Sequence, residues 1–179
     1  MTSLKNRLPP RQDLLLVFSG CAFLIHVWAI INMFYIVPAW VLRMNLAQLS
    51  GSMAYMLVFA LAESLLVWGL LVLLAVLLPK AWLRRNFLAQ GMSLALVTAI
   101  FSMVVHFNYE FLVTNRGYLL ALAAAYLPCA ALSLFLAERY PKIAVALRTI
   151  LDRLAVLTGL YIFFDLVSLV VIIIRNITG

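Results

Sequence analysis

Five ionisable side chains sit where an apolar setting makes charge expensive. His26, Glu63, His106 and Asp165 lie inside long apolar runs, and Glu110 lies nearer the edge of one. At the centre of a membrane-spanning helix such a group costs about 2.5–3.5 kcal/mol. It persists when it has a hydrogen-bond partner, a bound ion or a water-filled path. Three of the five share a depth. His26, Glu63 and Asp165 each fall about 11–12 residues into their runs, roughly 16–18 Å from the start at 1.5 Å per residue. No lysine or arginine lies at that depth, so His26 is the one candidate cation for either acid. His26, Glu63 and Asp165 therefore form a candidate ion- or solute-binding set. The plainer reading is interhelical hydrogen bonding, at about 0.6 kcal/mol per bond. A third is contact with a polar group of a partner subunit.

The remaining chemistry is thinner. His106 and Glu110 are spaced i, i+4, which offers two ligands to a metal or simply a hydrogen bond near one surface, so no metal site is expected. His26 and His106 lie at different depths and do not suit a bis-histidine haem, and no cofactor is expected. Cys21 and Cys129 form neither a CxxC pair nor a metal spacing and read as small packing residues. The GxSxG, HExxH, Walker A, GxGxxG and EF-hand patterns are absent. The expectation is a non-enzymatic protein, with an intramembrane enzyme acting on a lipid or quinone as a distant alternative.

The elements that must position these residues follow from composition. Of 179 residues 67% are hydrophobic and 11% are charged, where a soluble domain carries about 25% charged residues. A soluble fold of this size cannot hide that much apolar surface. Lipid can face it, provided every backbone polar group is satisfied within helices. The chain thus reads as an all-α integral membrane protein, a bundle of five transmembrane helices. A tail over 1–13 precedes a single membrane domain over 14–179, with helices expected at 14–37, 52–78, 87–113, 118–137 and 154–174. Pro38 is expected to end the first helix, since the residue before a proline is pushed out of helical geometry. The stretch 143–153 is amphipathic and either lies on the surface or lengthens the last helix. The first run is too long for a signal-peptide core and lacks a small-x-small cleavage site, so it reads as a retained helix.

Three periodicities mark inward faces. Thr158, Tyr161, Asp165 and Ser168 form a polar stripe. Gly91, Ala95, Ala99, Ser102, His106 and Glu110 form a second, small at one end and polar at the other. Ala121, Ala125, Cys129, Ser133 and Ala137 recur every four residues as a ridge for close helix packing. All three are expected to point into the bundle.

The net charge of +7 does not suggest nucleic acid, because the basic residues sit in short loops. With the N-terminus inside, ten of the thirteen basic residues (Lys5, Arg7, Arg11, Lys80, Arg84, Arg85, Arg139, Lys142, Arg148, Arg153) fall on the inner side, and Arg43, Arg116 and Arg175 fall outside. That asymmetry predicts a cytoplasmic N-terminus and an external C-terminus. The expected setting is the plasma (inner) membrane, with anionic lipid headgroups on the cytoplasmic side. Other membrane subunits or further copies of the chain are the expected partners. Composition favours an accessory or scaffold subunit acting through helix contacts. The alternative is a small transporter or solute-binding subunit built on His26, Glu63 and Asp165.

Overall fold

The computed structural model describes residues 8–78, 83 and 86–178. The basic loop expected around Lys80, Trp82, Arg84 and Arg85 lies outside the described residues, as do Lys5 and Arg7. The described chain is all-helical: α1 Arg11–Val41, α2 Leu46–Leu77, α3 Phe87–Phe107, α4 Tyr109–Thr114, α5 Arg116–Arg139 and α6 Pro141–Thr178. Five of these, all but α4, are long and apolar enough to cross a membrane.

The boundaries differ from the sequence expectation in instructive ways. Pro38 does not end the first helix but lies inside α1. Its fixed φ is itself helical, and so near the helix end the loss of one N–H donor costs little. The second helix begins at Leu46 rather than at 52, because Asn45 and Gln48 close a reciprocal capping box. The Asn45 N–H donates to Gln48 Oε1 at 3.1 Å and the Gln48 N–H to Asn45 Oδ1 at 2.8 Å. The third run, expected unbroken over 87–113, divides at Asn108, whose side-chain amide donates to the Val104 carbonyl at 2.8 Å. Asn115 bonds back to Phe111 in the same way at 3.1 Å and separates α4 from α5. In both places a short amide side chain competes for a helical carbonyl. Of the two alternatives for 143–153, the structure has the extension. Pro141 begins α6, where its missing N–H is not needed, and the helix runs unbroken for 38 residues. That is about 57 Å, well beyond the roughly 30 Å of a hydrocarbon core.

The chain divides into two compact units. One comprises Met1–Val17 with Leu70–Ile150. Its core is packed around the first turns of α3, where Phe87, Leu88, Ala89, Met92 and Ala95 are buried with Val17, Leu71 and Ala75. Further along, α3 packs on α5. Asp13, in the first turn of α1, pairs with Arg148.

The other unit comprises Phe18–Gly69 with Leu151–Gly179. Small and polar residues form its interior: Cys21, Ala22 and His26 from α1, Ala54, Ala60 and Ser64 from α2, and Thr158, Asp165 and Ser168 from α6. Phe18 meets Trp68 edge to face at 5.8 Å. At one end the Tyr55 hydroxyl donates to Asn176 Oδ1 at 3.2 Å. Beside it the Arg175 guanidinium lies against the backbone of Gly51, where a Cβ would come within 1.9 Å of Arg175 Nη1. Glycine there lets the guanidinium rest on α2.

Candidate functional site

The unit formed by 18–69 and 151–179 contains the one close pairing of ionisable side chains among the sequence candidates. His26 and Asp165 meet, 1% and 0% exposed. Helical spacing supplies the arrangement. On α1, Ser19, Ala22 and His26 are buried on successive turns, and on α6, Thr158, Asp165 and Ser168 are buried on one face, two turns and then one turn apart. The small residue Ala22, one turn before His26, leaves room for the ring to fold back along its own helix.

Hydrogen bonding defines the protons. His26 Nδ1 lies 2.9 Å from the Ala22 carbonyl oxygen, which can only accept, so Nδ1 carries a hydrogen. His26 Nε2 faces both carboxyl oxygens of Asp165, at 3.1 Å from Oδ1 and 3.0 Å from Oδ2. One proton lies between Nε2 and the carboxyl group. It is carried either as imidazolium against carboxylate or as neutral imidazole against carboxylic acid, and the pair is neutral overall in both forms. The Tyr161 ring, one turn before Asp165, stacks on the imidazole with centroids 4.8 Å apart and planes 11° apart. That ring covers one face of the histidine. Nearby hydroxyls turn inward on their own helices. Ser64 donates to the Ala60 carbonyl at 2.6 Å and Thr158 to Leu154 at 3.3 Å. The arrangement can hold one proton and lock α1 to α6. Both side chains are almost fully buried.

The third member of the candidate set is placed elsewhere. Glu63 is exposed, whereas its neighbour Ser64 is fully buried. Successive residues point about 100° apart around a helix, and the α2 face bearing Ser64, Leu71 and Ala75 is the one turned inward. No side chain among the described residues hydrogen-bonds or ion-pairs with the Glu63 carboxylate.

The α5 ridge also departs from expectation. Ala121, Ala125 and Cys129 are exposed, Ser133 is half-buried and Ala137 is buried. The contact with α3 is made instead by the adjacent face, on which Leu122 and Tyr126 are half-buried and Ala130 is buried. Tyr126 decides this rotation: its hydroxyl meets Thr98 Oγ1 at 2.9 Å and its ring packs edge to face on Phe101 at 5.4 Å. The α3 stripe holds only in part, since Gly91 and Ala95 are buried while Ser102 and His106 are exposed. Glu110, across the Asn108 break, is exposed as well. Among the described residues no three His, Cys, Asp or Glu side chains gather as a metal site.

Sequence reasoning overlooked Gln90, which is buried with its side-chain oxygen lacking a partner among the described residues. It also overlooked the Tyr161 stack and an open groove of about 1090 Å³ lined by α3, α4 and α5. Tyr161 had a signal, lying one turn from Asp165 on the polar stripe. The groove had none, because it is lined by residues on both sides of the α3–α4 break at Asn108.

The pair is testable by a double-mutant cycle. Removing one member of a buried ion pair costs about 3–5 kcal/mol, whereas replacing both with apolar groups is often near neutral. His26→Leu and Asp165→Leu should each destabilise the purified protein strongly, and the double variant should recover most of the loss in denaturant titrations. A coupling near the roughly 0.6 kcal/mol average for membrane hydrogen bonds would mark an ordinary neutral contact instead.

No protein-family model, curated protein or solved structure matches this chain.

Proposed function

We propose that this chain is a non-enzymatic, multi-pass membrane component, an accessory or scaffold subunit that works through helix contacts with other membrane subunits or further copies of itself. The observation that carries the reading is the placement of Glu63. It is exposed within α2, a helix long and apolar enough to cross a membrane. Phe59 and Leu66, one turn before it and nearly one turn after it, are 65% and 68% exposed. A carboxyl group on such a face costs about 2.5–3.5 kcal/mol against lipid. A neighbouring protein that supplies a donor or cation recovers that cost. The exposed part of the α5 ridge, Ala121, Ala125 and Cys129, is the surface type that permits close helix approach, and it supports the same reading. A transporter built on His26, Glu63 and Asp165 has less support, because Glu63 faces away and the remaining pair is almost fully buried.

The proposed setting is the plasma membrane with the N-terminus in the cytoplasm. The distribution of basic residues supports it. Contacts within each unit support only which helix ends share a side. Arg148 reaches Asp13 at the start of α1, and Arg175 lies at the start of α2 beside Gly51. Each contact matches the side that the charge pattern assigns to its arginine.

Two outcomes check these proposals. In a Cys21→Ser/Cys129→Ser background, cysteine at Asn115 should react with an impermeant thiol reagent on intact cells and cysteine at Asn86 should not. Labelling at 86 alone, or at both, contradicts the orientation. The full chain extracted in mild detergent should carry a stoichiometric partner or a second copy, and Glu63→Leu should weaken that association about 100-fold, the equivalent of roughly 2.7 kcal/mol. A monomer with no partner, unchanged by Glu63→Leu, contradicts the subunit reading.

A further inference from the structure

The groove of about 1090 Å³ between α3 and α5 lies in the unit formed by 1–17 and 70–150 and takes no part in the His26–Asp165 pairing. Its size is slightly above the roughly 300–1,000 Å³ typical of small-molecule sites. Its chemistry changes along its length. The deep end is floored by Thr98, Phe101, Leu122 and Tyr126. The hydroxyls there are turned away from any occupant. Thr98 donates to the Leu94 carbonyl at 2.8 Å, so it must accept from Tyr126 in their 2.9 Å contact. The floor therefore presents methyl groups and ring carbons. The other end is polar and aromatic, with His106, Tyr109, Glu110 and Phe111 on the rim. Among the described residues Glu110 is the one acidic side chain lining the groove.

The length agrees with a single lipid leaflet. Thr98 lies near the middle of α3, and Phe107 ends it. The nine residues between them rise about 14 Å, close to half of a roughly 30 Å hydrocarbon core. The apolar floor then lies at acyl-chain depth and the rim at the level of the headgroups. A carboxylate among aromatic rings at that level complements an organic cation.

We propose that this groove binds a membrane phospholipid with a cationic amine headgroup, one acyl chain lying along Phe101, Leu122 and Tyr126 and the ammonium at Glu110. The inference rests on the reading that the chain spans a membrane, and it is independent of whether the protein works as a scaffold.

The test uses the full chain in mixed-lipid nanodiscs, released and weighed by native mass spectrometry. Three lipids of matched acyl chains supply the arms: phosphatidylethanolamine, phosphatidylcholine and phosphatidylglycerol. Free ethanolamine supplies a headgroup without a tail. Both ammonium lipids should be retained about two- to fivefold over phosphatidylglycerol, the ratio expected of one exposed charge contact. Glu110→Gln should erase that preference while a lipid is still retained. Ala123→Trp, which fills the groove from an exposed position on α5, should remove the retained lipid with helix content unchanged by circular dichroism. Equal retention of phosphatidylglycerol, a preference that survives Glu110→Gln, or binding of free ethanolamine as tight as that of the lipid would each overturn the proposal. Carbonate extraction of the wild-type chain from cell membranes separates the two levels. A chain that resists extraction but shows no amine preference loses only this inference, whereas an extracted chain loses the membrane reading as well.

Discussion

The contact between His26 and Asp165 constrains the rest of the unit around it. Each side chain alone is a group that an apolar interior excludes, and together they are neutral, hydrogen-bonded and almost fully buried. The contact fixes the rotation of two helices at once. With His26 turned inward, α1 must also bury Ser19 and Ala22, and with Asp165 turned inward, α6 must bury Thr158 and Ser168. Tyr161 follows, because it lies one turn from Asp165 and has the imidazole face to cover. Nonspecific apolar packing would leave these rotations free, since one Leu- or Val-rich face serves as well as another against lipid. A polar contact whose alternative is an unsatisfied group in hydrocarbon does not.

Once those rotations are set, the outward faces follow, and the proposed roles reside there. Glu63 cannot share the pair with His26 because α2 turns Ser64, its neighbour, to the interior. The same reasoning applies to α5, where the Tyr126 hydroxyl, bonded to Thr98, turns the Ala121, Ala125 and Cys129 ridge outward. In both helices a satisfied polar group inside leaves a chemically distinct group outside. On α2 that group is a carboxyl with no partner among the described residues. On α5 it is a strip of small residues open to another helix. The proposed subunit role begins from these two surfaces.

The presence of five long helices and their apolar character were legible from composition and hydropathy, because backbone satisfaction in an apolar solvent leaves few other arrangements. Asp165 and His26 were legible as needing partners, and equal depth in their runs made each a candidate for the other without deciding that they meet. Depth says nothing about rotation, and for that reason Glu63 was grouped with them. The buried positions Ala54, Ala60, Ser64, Leu71 and Ala75 mark the inward face of α2, and the small residues among them were visible in the sequence beforehand. On α5 two faces were plausible. The small-residue ridge was the more regular, but Tyr126 had a hydroxyl to satisfy and determined the outcome. The helix boundaries were least legible. Pro38 was read by its average behaviour in helix interiors, and Asn108 was not recognised as a side chain able to capture the Val104 carbonyl.

The most direct measurement is solid-state NMR of the ¹⁵N-histidine, ¹³C-aspartate-labelled protein in lipid bilayers. The account predicts a hydrogen on His26 Nδ1, a through-space correlation between His26 Nε2 and the Asp165 carboxyl carbon, and ring N–H signals that persist after transfer to heavy water. Absence of that correlation, or immediate exchange of the ring hydrogens with solvent, would contradict a sealed pair locking α1 to α6.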